Sequence, residues 1–187
     1  NIFQAAMASG ERIVTLLDTR PTLVDPAVPR ASAPFRGEEE FQRVSLEYVP
    51  GEPVLREVSF RVSPGEKVAL VGATGGGKTS LISVLCRFYD VTAGRILVDG
   101  IDIREWDRAT LRRHLGLVLQ DVFLFSGDIA GNIGLHDPRV GPEAVEAAAR
   151  RVHADAFIRR LPGGYAEPVQ ERGATLSQGE RQLLAFA

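Results

Sequence analysis

The stretch at residues 67–80, KVALVGATGGGKTS, decides the fold of this chain. Its first six residues, 67–72, are almost entirely apolar, which is typical of a strand covered on both faces of a sheet. Residues 72–79 then match the pattern G-x-x-x-x-G-K-[ST], which lies between a strand and a helix in phosphate-binding loops. The sequence therefore predicts a buried strand over 67–72, a phosphate-binding loop, and a helix from Lys78 to about Phe88.

The residue types in this loop suit a bound polyphosphate. Glycines let the backbone wrap closely around phosphates and turn its N–H groups inward, and the helix N-terminus adds positive dipole. Lys78 is expected to contact the β- and γ-phosphates, the Thr79 hydroxyl to ligate Mg²⁺, and Ser80 to donate near the α-phosphate. The residues predicted to hold the nucleotide are Gly72, Thr74, Gly75, Gly76, Gly77, Lys78, Thr79 and Ser80.

The plain alternative is a glycine-rich turn without a ligand. Three adjacent glycines before Lys-Thr are costly to order for structure alone, so nucleotide binding is the better interpretation. The motif by itself leaves open several classes of nucleotide-binding protein, namely ABC ATPases, GTPases, small-molecule kinases and motor proteins.

Composition narrows the class of protein. The chain has 187 residues, of which 44% are hydrophobic and 25% charged, so one globular domain with a sizeable core is expected. A net charge of −2 gives no electrostatic case for nucleic acid or an acidic membrane surface. The lone Cys86 cannot form an internal disulfide, which favours a reducing compartment. Because the sequence begins at Asn1 rather than Met, a longer parent protein is expected.

The N-terminal part predicts a helix and a linker. In residues 1–18, Phe3, Met7, Val14 and Leu17 fall near one face at helical spacing. This helix either packs on its own domain or arrives from a preceding domain. Four prolines recur in residues 19–37 and favour extended chain, so a domain boundary is expected between 37 and 38.

The rest of the chain alternates between strand and helix patterns. Half-buried antiparallel strands are expected around 44–48 and 58–62, where apolar and polar residues alternate. Asp107 is a candidate N-cap for a short helix. The further predicted elements are strands at 95–98 and 116–119, helices at 108–113 and 142–161, turns at 64–65 and 99–100, and a last helix beginning near Ser177.

Several segments carry a more specific resemblance. Residues 176–182, LSQGERQ, resemble the signature motif of the ABC transporter family, and VLQD at 118–121 resembles its Q-loop. Tyr48 stands where the family places an aromatic residue against adenine. The stretches 5–26, 121–133, 156–165 and 169–173 are similar to exporter-type nucleotide-binding domains, so the resemblance covers nearly the whole chain.

The resemblance implies a fold, two domains and a set of residues that would hold the nucleotide. The fold would be α/β, with a P-loop NTPase-type core, an antiparallel β subdomain and a helical subdomain carrying the signature, incomplete at the C-terminus. Residues 1–37 would be the end of a transmembrane-domain helix plus linker, and 38–187 a partial nucleotide-binding domain. ATP and Mg²⁺ would be held by the phosphate loop, Tyr48 and Gln120, with Thr79 and Gln120 on the Mg²⁺ side. Gln120 is the one catalytic candidate within the chain.

The resemblance also implies partners and a location. A second nucleotide-binding domain would join head to tail, as a homodimer or heterodimer, and its ATP would meet the signature residues Ser177, Gln178, Gly179 and Glu180. The transmembrane domain of the same transporter would be the other partner, at the cytoplasmic face of the plasma (inner) membrane, with no nucleic acid. The transported substrate is not encoded in these residues.

The signature departs from the family's LSGGQ pattern at Gln178 and Glu180. Ser177 and Glu180 also form a capping-box pattern, which explains the glutamate structurally. A carboxylate at this position is also compatible with a second interpretation, in which the chain is a binding-only subunit of a heterodimeric exporter. A third alternative is a non-transport ABC ATPase, against which the near-neutral charge and the exporter-like residues 1–26 argue.

The family's Walker B aspartate, catalytic glutamate, D-loop and switch histidine would all follow Ala187. Phosphoryl transfer depends on positioning of the attacking water, so the 187-residue chain alone is expected to hydrolyse ATP negligibly and to be poorly stable.

Overall fold

The computed structural model describes residues 2–30, 34–119, 122–170 and 173–187. The chain divides into an N-terminal unit, Asn1–Gly116, and a C-terminal unit, Leu117–Ala187. Each unit buries its own apolar cluster. In the described part of the chain, no helix is both long and apolar enough to cross a membrane.

An antiparallel sheet organises the N-terminal unit. Its strand order is β2-β1-β3-β4, and its strands are β1 (Glu39–Val49), β2 (Glu52–Val62), β3 (Ala93–Val98) and β4 (Ile101–Asp102). Alternation along β1 buries Val44 and Leu46 on one face, which confirms the prediction of half-buried antiparallel strands. Opposite residues Phe41 and Phe60 stack their rings at 4.3 Å between centroids.

Helices α1 (Ile2–Asp18), α2 (Lys78–Leu85) and α3 (Arg108–Arg113) complete this unit. Asp107 caps α3 by accepting the Thr110 N–H at 2.7 Å, as predicted. Helix α2 ends before Phe88, three residues earlier than expected, because Arg87 takes a left-handed φ of 50°. The cluster beneath the sheet includes Leu46, Val84, Ile96, Trp106 and Leu111, each almost fully buried.

The predicted strands at 67–72 and 116–119 were wrong for this structure. Neither segment has an assigned strand or a hydrogen-bonded neighbouring strand among the described residues. Their apolar side chains are largely exposed, with Val71 at 90%. A strand needs a neighbouring strand for its backbone N–H and C=O groups, so an apolar run without such a neighbour forms no strand.

The C-terminal unit is mostly helical. A short antiparallel pair, β5 (Gly127–Asp128) and β6 (Pro168–Val169), lies among helices α4 (Ile129–Ile133), α5 (Pro142–Arg151), α6 (Asp155–Ile158) and α7 (Gln178–Phe186). The single helix predicted over 142–161 is instead two, because His153 adopts a left-handed φ of 60°. That turn lets Ala149 of α5 and Ile158 of α6 enter one buried cluster.

Candidate functional site

The phosphate loop lies between a segment without regular secondary structure, residues 67–71, and helix α2. Residues 74–77 form a turn in which the Gly76 N–H donates to the Ala73 carbonyl at 3.1 Å. Helix α2 begins directly after this turn, and the side chain of Thr79 in its first turn is exposed. The loop therefore presents glycine backbone and a helix N-terminus together, which is the arrangement that binds anions.

Within the phosphate loop, Gly77 is the position least able to accept a side chain. Its φ is +81°, and a Cβ built on it would lie 2.7 Å from the Leu55 Cδ2 atom and 3.2 Å from the Val54 carbonyl oxygen. Gly75 has the same φ but open space around a Cβ. Gly77 thus brings the loop against β2, while Gly75 supplies only the turn.

The Lys78 ammonium folds back over the loop. Its Nζ donates to the Gly72 carbonyl at 2.8 Å and to the Ala73 carbonyl at 2.7 Å. The positive charge of Lys78 therefore lies next to the glycine backbone of the loop. A phosphate oxygen is a stronger partner for an ammonium than a neutral carbonyl, so this geometry suits exchange of partners on binding.

Tyr48 reaches the same helix N-terminus from strand β1. Its hydroxyl donates to the Ser80 Oγ at 3.0 Å, and its ring meets Tyr89 edge to face at 4.8 Å. Ser80 is buried, while Tyr48 as a residue is 44% exposed. With its hydroxyl anchored and the residue partly exposed, Tyr48 can stack on a planar base beside the loop.

The other metal-side candidate, Gln120, lies outside the described residues. In the described ranges, no group of three or more His, Cys, Asp or Glu residues could hold a metal ion. The exposed Thr79 hydroxyl fits Mg²⁺ that is bound mainly through phosphate oxygens, because Mg²⁺ usually takes few protein ligands in such sites.

The signature residues form the N-terminus of α7. Ser177 is the N-cap, with the capping box predicted from the sequence: the Glu180 N–H donates to the Ser177 Oγ at 3.3 Å, and the Ser177 N–H donates to the Glu180 Oε2 at 2.8 Å. The Ser177 hydroxyl also donates to Glu180 Oε2 at 2.7 Å. Leu176 is buried, and Ser177, Gln178 and Gly179 are exposed residues.

Hydrogen bonds from the Ser177 hydroxyl and N–H lower the pKa of Glu180 below its ordinary value of 4.5. Because the pKa of Glu180 is lower in the folded state than in the unfolded state, its ionised carboxylate stabilises the folded helix end at pH values above the unfolded-state pKa. This contribution is lost as the pH falls through the folded-state pKa. We expect an NMR titration of the Glu180 carboxyl to have its midpoint below 4.5. The matched variant Ser177→Ala should return the midpoint towards 4.5, and an unchanged midpoint would contradict the capping box.

The sequence analysis did not single out two buried polar residues, one in each unit, that form several hydrogen bonds. Arg87 is 2% exposed and donates to the Ile103, Trp106 and Val24 carbonyls and to Asp90. Asn132 is also buried, and its side-chain amide bonds both backbone groups of Phe125. The sequence signal for Arg87 is a charged side chain two residues after the end of the apolar helix α2.

Comparisons with known proteins identify the family of this chain. The family model described as ABC transporter matches residues 55–187. The chain is 47% identical over 186 residues to a multidrug efflux ATP-binding/permease protein of Mycobacterium bovis, covering 100% of this chain and 16% of that protein. It is 41% identical over 187 residues to a fatty acid ABC transporter ATP-binding/permease protein of the same species, covering 100% and 29%.

A solved structure of a bacterial Atm1-family ABC exporter with ATP bound is also similar. Its TM-score is 0.87 at 37% identity, covering 98% of this chain and 32% of that chain. This chain therefore belongs to the ABC transporter family, has the ABC ATPase fold, and is the ATP-binding part of such a protein. It spans less than a third of the length of the relatives compared here.

Proposed function

We propose that this chain binds MgATP at residues 72–80 and drives export of a substrate by a membrane transporter. The observation that carries the proposal is the convergence of three features at one helix N-terminus. These are the glycine loop packed on β2 through Gly77, the Lys78 ammonium over that loop, and the Tyr48 hydroxyl bonded to Ser80.

Each residue has a role that follows from its chemistry. The N–H groups of the loop and the Lys78 ammonium would hold the β- and γ-phosphates, and the Thr79 hydroxyl would bind the accompanying Mg²⁺. Mg²⁺ supplies charge neutralisation on the phosphates when bound. Ser80, held by Tyr48, would orient its hydroxyl near the α-phosphate. Gln120 would sense the γ-phosphate in the longer protein.

The exposed end of α7 would contact a second copy or a related nucleotide-binding domain. The partner's ATP would be met by Ser177, Gln178, Gly179 and Glu180, which the exposure of the first three residues supports. The relatives' description as ATP-binding/permease proteins supports a fused transmembrane domain, with residues 1–37 leading from it and 38–187 at the cytoplasmic face.

A second candidate function is that of a subunit that binds ATP without efficient turnover. The contact between the Ser177 hydroxyl and Glu180 Oε2 favours it, because that proton is directed at the protein's own carboxylate. Single-turnover hydrolysis by the full-length protein separates the two functions. A burst of product in the presence of MgATP supports a working ATPase, whereas tight binding without product supports the binding-only subunit.

Tyr48 gives the sharpest test of the nucleotide site. Tyr48→Ala removes the ring and should weaken MgATP binding by about 5- to 150-fold, since stacking of a base on an aromatic ring contributes about 1–3 kcal/mol. Tyr48→Phe keeps the ring and loses only the hydrogen bond to Ser80, so MgATP affinity should fall less than in Tyr48→Ala. Isothermal titration of the full-length protein with MgATP measures both.

Tyr89→Ala is the matched control, because Tyr89 contacts the Tyr48 ring from the side and is itself exposed. We expect it to change the MgATP dissociation constant less than Tyr48→Ala does. Equal affinities for the protein and Tyr48→Ala would contradict the placement of the adenine on this ring.

A further inference from the structure

Residues 24–30 and 34–38 lie along the N-terminal unit rather than apart from it, and we call these two stretches the strap. The Arg30 N–H donates to the Glu105 carbonyl at 2.8 Å, and its guanidinium pairs with the Glu105 carboxylate. Further along, the Phe35 ring stacks on His114 at 4.3 Å. The Asp99 carboxylate then accepts the Arg36 and Glu38 N–H groups at 2.7 and 3.0 Å.

Two arginines hold the beginning of the strap. Arg108 donates from Nε and Nη2 to both carboxylate oxygens of Asp25, at 2.7 and 3.3 Å. The buried Arg87 donates from Nη2 to the Val24 carbonyl at 3.0 Å and lies 3.7 Å from Asp25 Oδ1. We call Arg87 and Arg108, with their two strap partners, the clamp.

The clamp is attached to the helix that begins at the phosphate loop. Helix α2 starts at Lys78 and ends at Leu85, and Arg87 follows it after one residue. Arg112 donates to the Cys86 and Arg87 carbonyls at 3.0 and 2.7 Å, so the backbone at this end is fixed as well. A helix of eight residues is about 12 Å long and moves as one body, so its two ends cannot shift independently.

We propose that the clamp makes Arg87 a positioning residue that couples nucleotide binding at the phosphate loop to docking of the strap. A phosphate bound at the loop attracts the N-terminal end of α2. The clamp transmits any resulting shift of the helix to Val24 and Asp25. The strap is joined to helix α1 by residues 19–23, so this route leads from the nucleotide towards the preceding segment. The coupling rests on the proposed MgATP site.

Coupling of this kind is reciprocal, since each event changes the equilibrium constant of the other by the same factor. Typical coupling between sites is about 5- to 150-fold. A strap that only stabilises the fold would change stability when broken, but it would not make strap docking respond to nucleotide. The nucleotide-dependent difference is therefore the informative quantity.

The test is hydrogen exchange of the strap in the full-length protein, with and without saturating MgATP. The Arg30 amide reports docking through its bond to Glu105. We expect MgATP to slow its exchange by about 5-fold or more. Asp25→Ala removes the acceptor for Arg108 at a partly exposed strap position, and it should abolish this response while weakening MgATP binding by a similar factor.

Asp18→Ala is the matched control, because Asp18 is exposed and forms no ion pair with the described residues; it should behave as the unmodified protein. Arg87→Lys keeps the charge but cannot reach the four acceptors, so it should lose the response as Asp25→Ala does. MgATP that binds without changing strap exchange, or an Asp25→Ala variant that responds normally, would overturn the coupling alone. No MgATP binding would overturn the proposed function and the coupling with it.

Discussion

Replacing Lys78 by alanine is expected to lower MgATP affinity by about 10- to 150-fold, because a hydrogen bond to a charged group contributes about 1.5–3 kcal/mol. In the full-length protein the same change should reduce ATP hydrolysis by about 10²–10³-fold, since the ammonium also meets charge that develops in the transition state. The two carbonyls that Lys78 now contacts belong to exposed residues, so water can replace the ammonium and the fold should persist.

Lys67→Ala is a matched control for this prediction. Lys67 and Lys78 are the two lysines of the chain, and Lys67 is exposed on the segment that leads into the loop. Lys67→Ala changes the net charge by the same amount as Lys78→Ala. It should leave the MgATP dissociation constant within about 2-fold of the unmodified protein's value, as expected of a screened surface charge. Titration calorimetry and a phosphate-release assay measure both variants. Similar losses for the two lysines would mean that general electrostatic attraction, rather than the loop, holds the nucleotide.

Gly77→Ala is expected to destabilise the N-terminal unit by about 2–5 kcal/mol. A left-handed residue with a Cβ costs about 1–2 kcal/mol, and overpacking adds about 1–3 kcal/mol. Both terms apply, because the φ is +81° and the new methyl group would lie 2.7 Å from Leu55 Cδ2. Relief requires the loop to move off β2, so nucleotide binding should be lost together with stability.

Gly75→Ala separates the two causes. Its φ is also +81°, but a Cβ there meets no atom within 4 Å, so only the backbone cost of about 1–2 kcal/mol applies. Urea unfolding, followed by a probe in the N-terminal unit, gives the difference between the two variants. If Gly77→Ala were no more destabilising than Gly75→Ala, the close approach of the loop to Leu55 would not constrain the sequence.

Local chemistry made part of the structure predictable. The caps at Asp107 and Ser177 depend on hydrogen bonds within three residues, and the structure confirms both. The alternating pattern of β1 likewise names its buried residues without knowledge of the partner strand. Within the site, the loop pattern places Lys78 and Thr79 at a helix start, and the structure has α2 beginning there. The roles of these residues in binding nucleotide remain predictions.

Other features depend on partners distant in sequence, and the pattern alone could not give them. The segments 67–72 and 116–119 have strand-like composition, but a strand also requires a neighbour that the segment itself does not specify. The break at His153 reflects how α5 and α6 share one cluster, and helical periodicity continues across it. Arg87 reaches a carbonyl 63 residues away, at Val24, which no local pattern predicts.

The exposed apolar segment at 67–71 has a consequence for how the protein is handled during and after its synthesis. Among the described residues, Val68, Leu70 and Val71 are exposed and have no neighbouring strand. The same holds further along the chain for Leu117, Val118 and Leu119. Short β-prone apolar runs of this kind pair between molecules and seed aggregates, and they are the surfaces that make chaperones necessary for a growing chain. We therefore expect aggregation of this polypeptide to begin at these two runs.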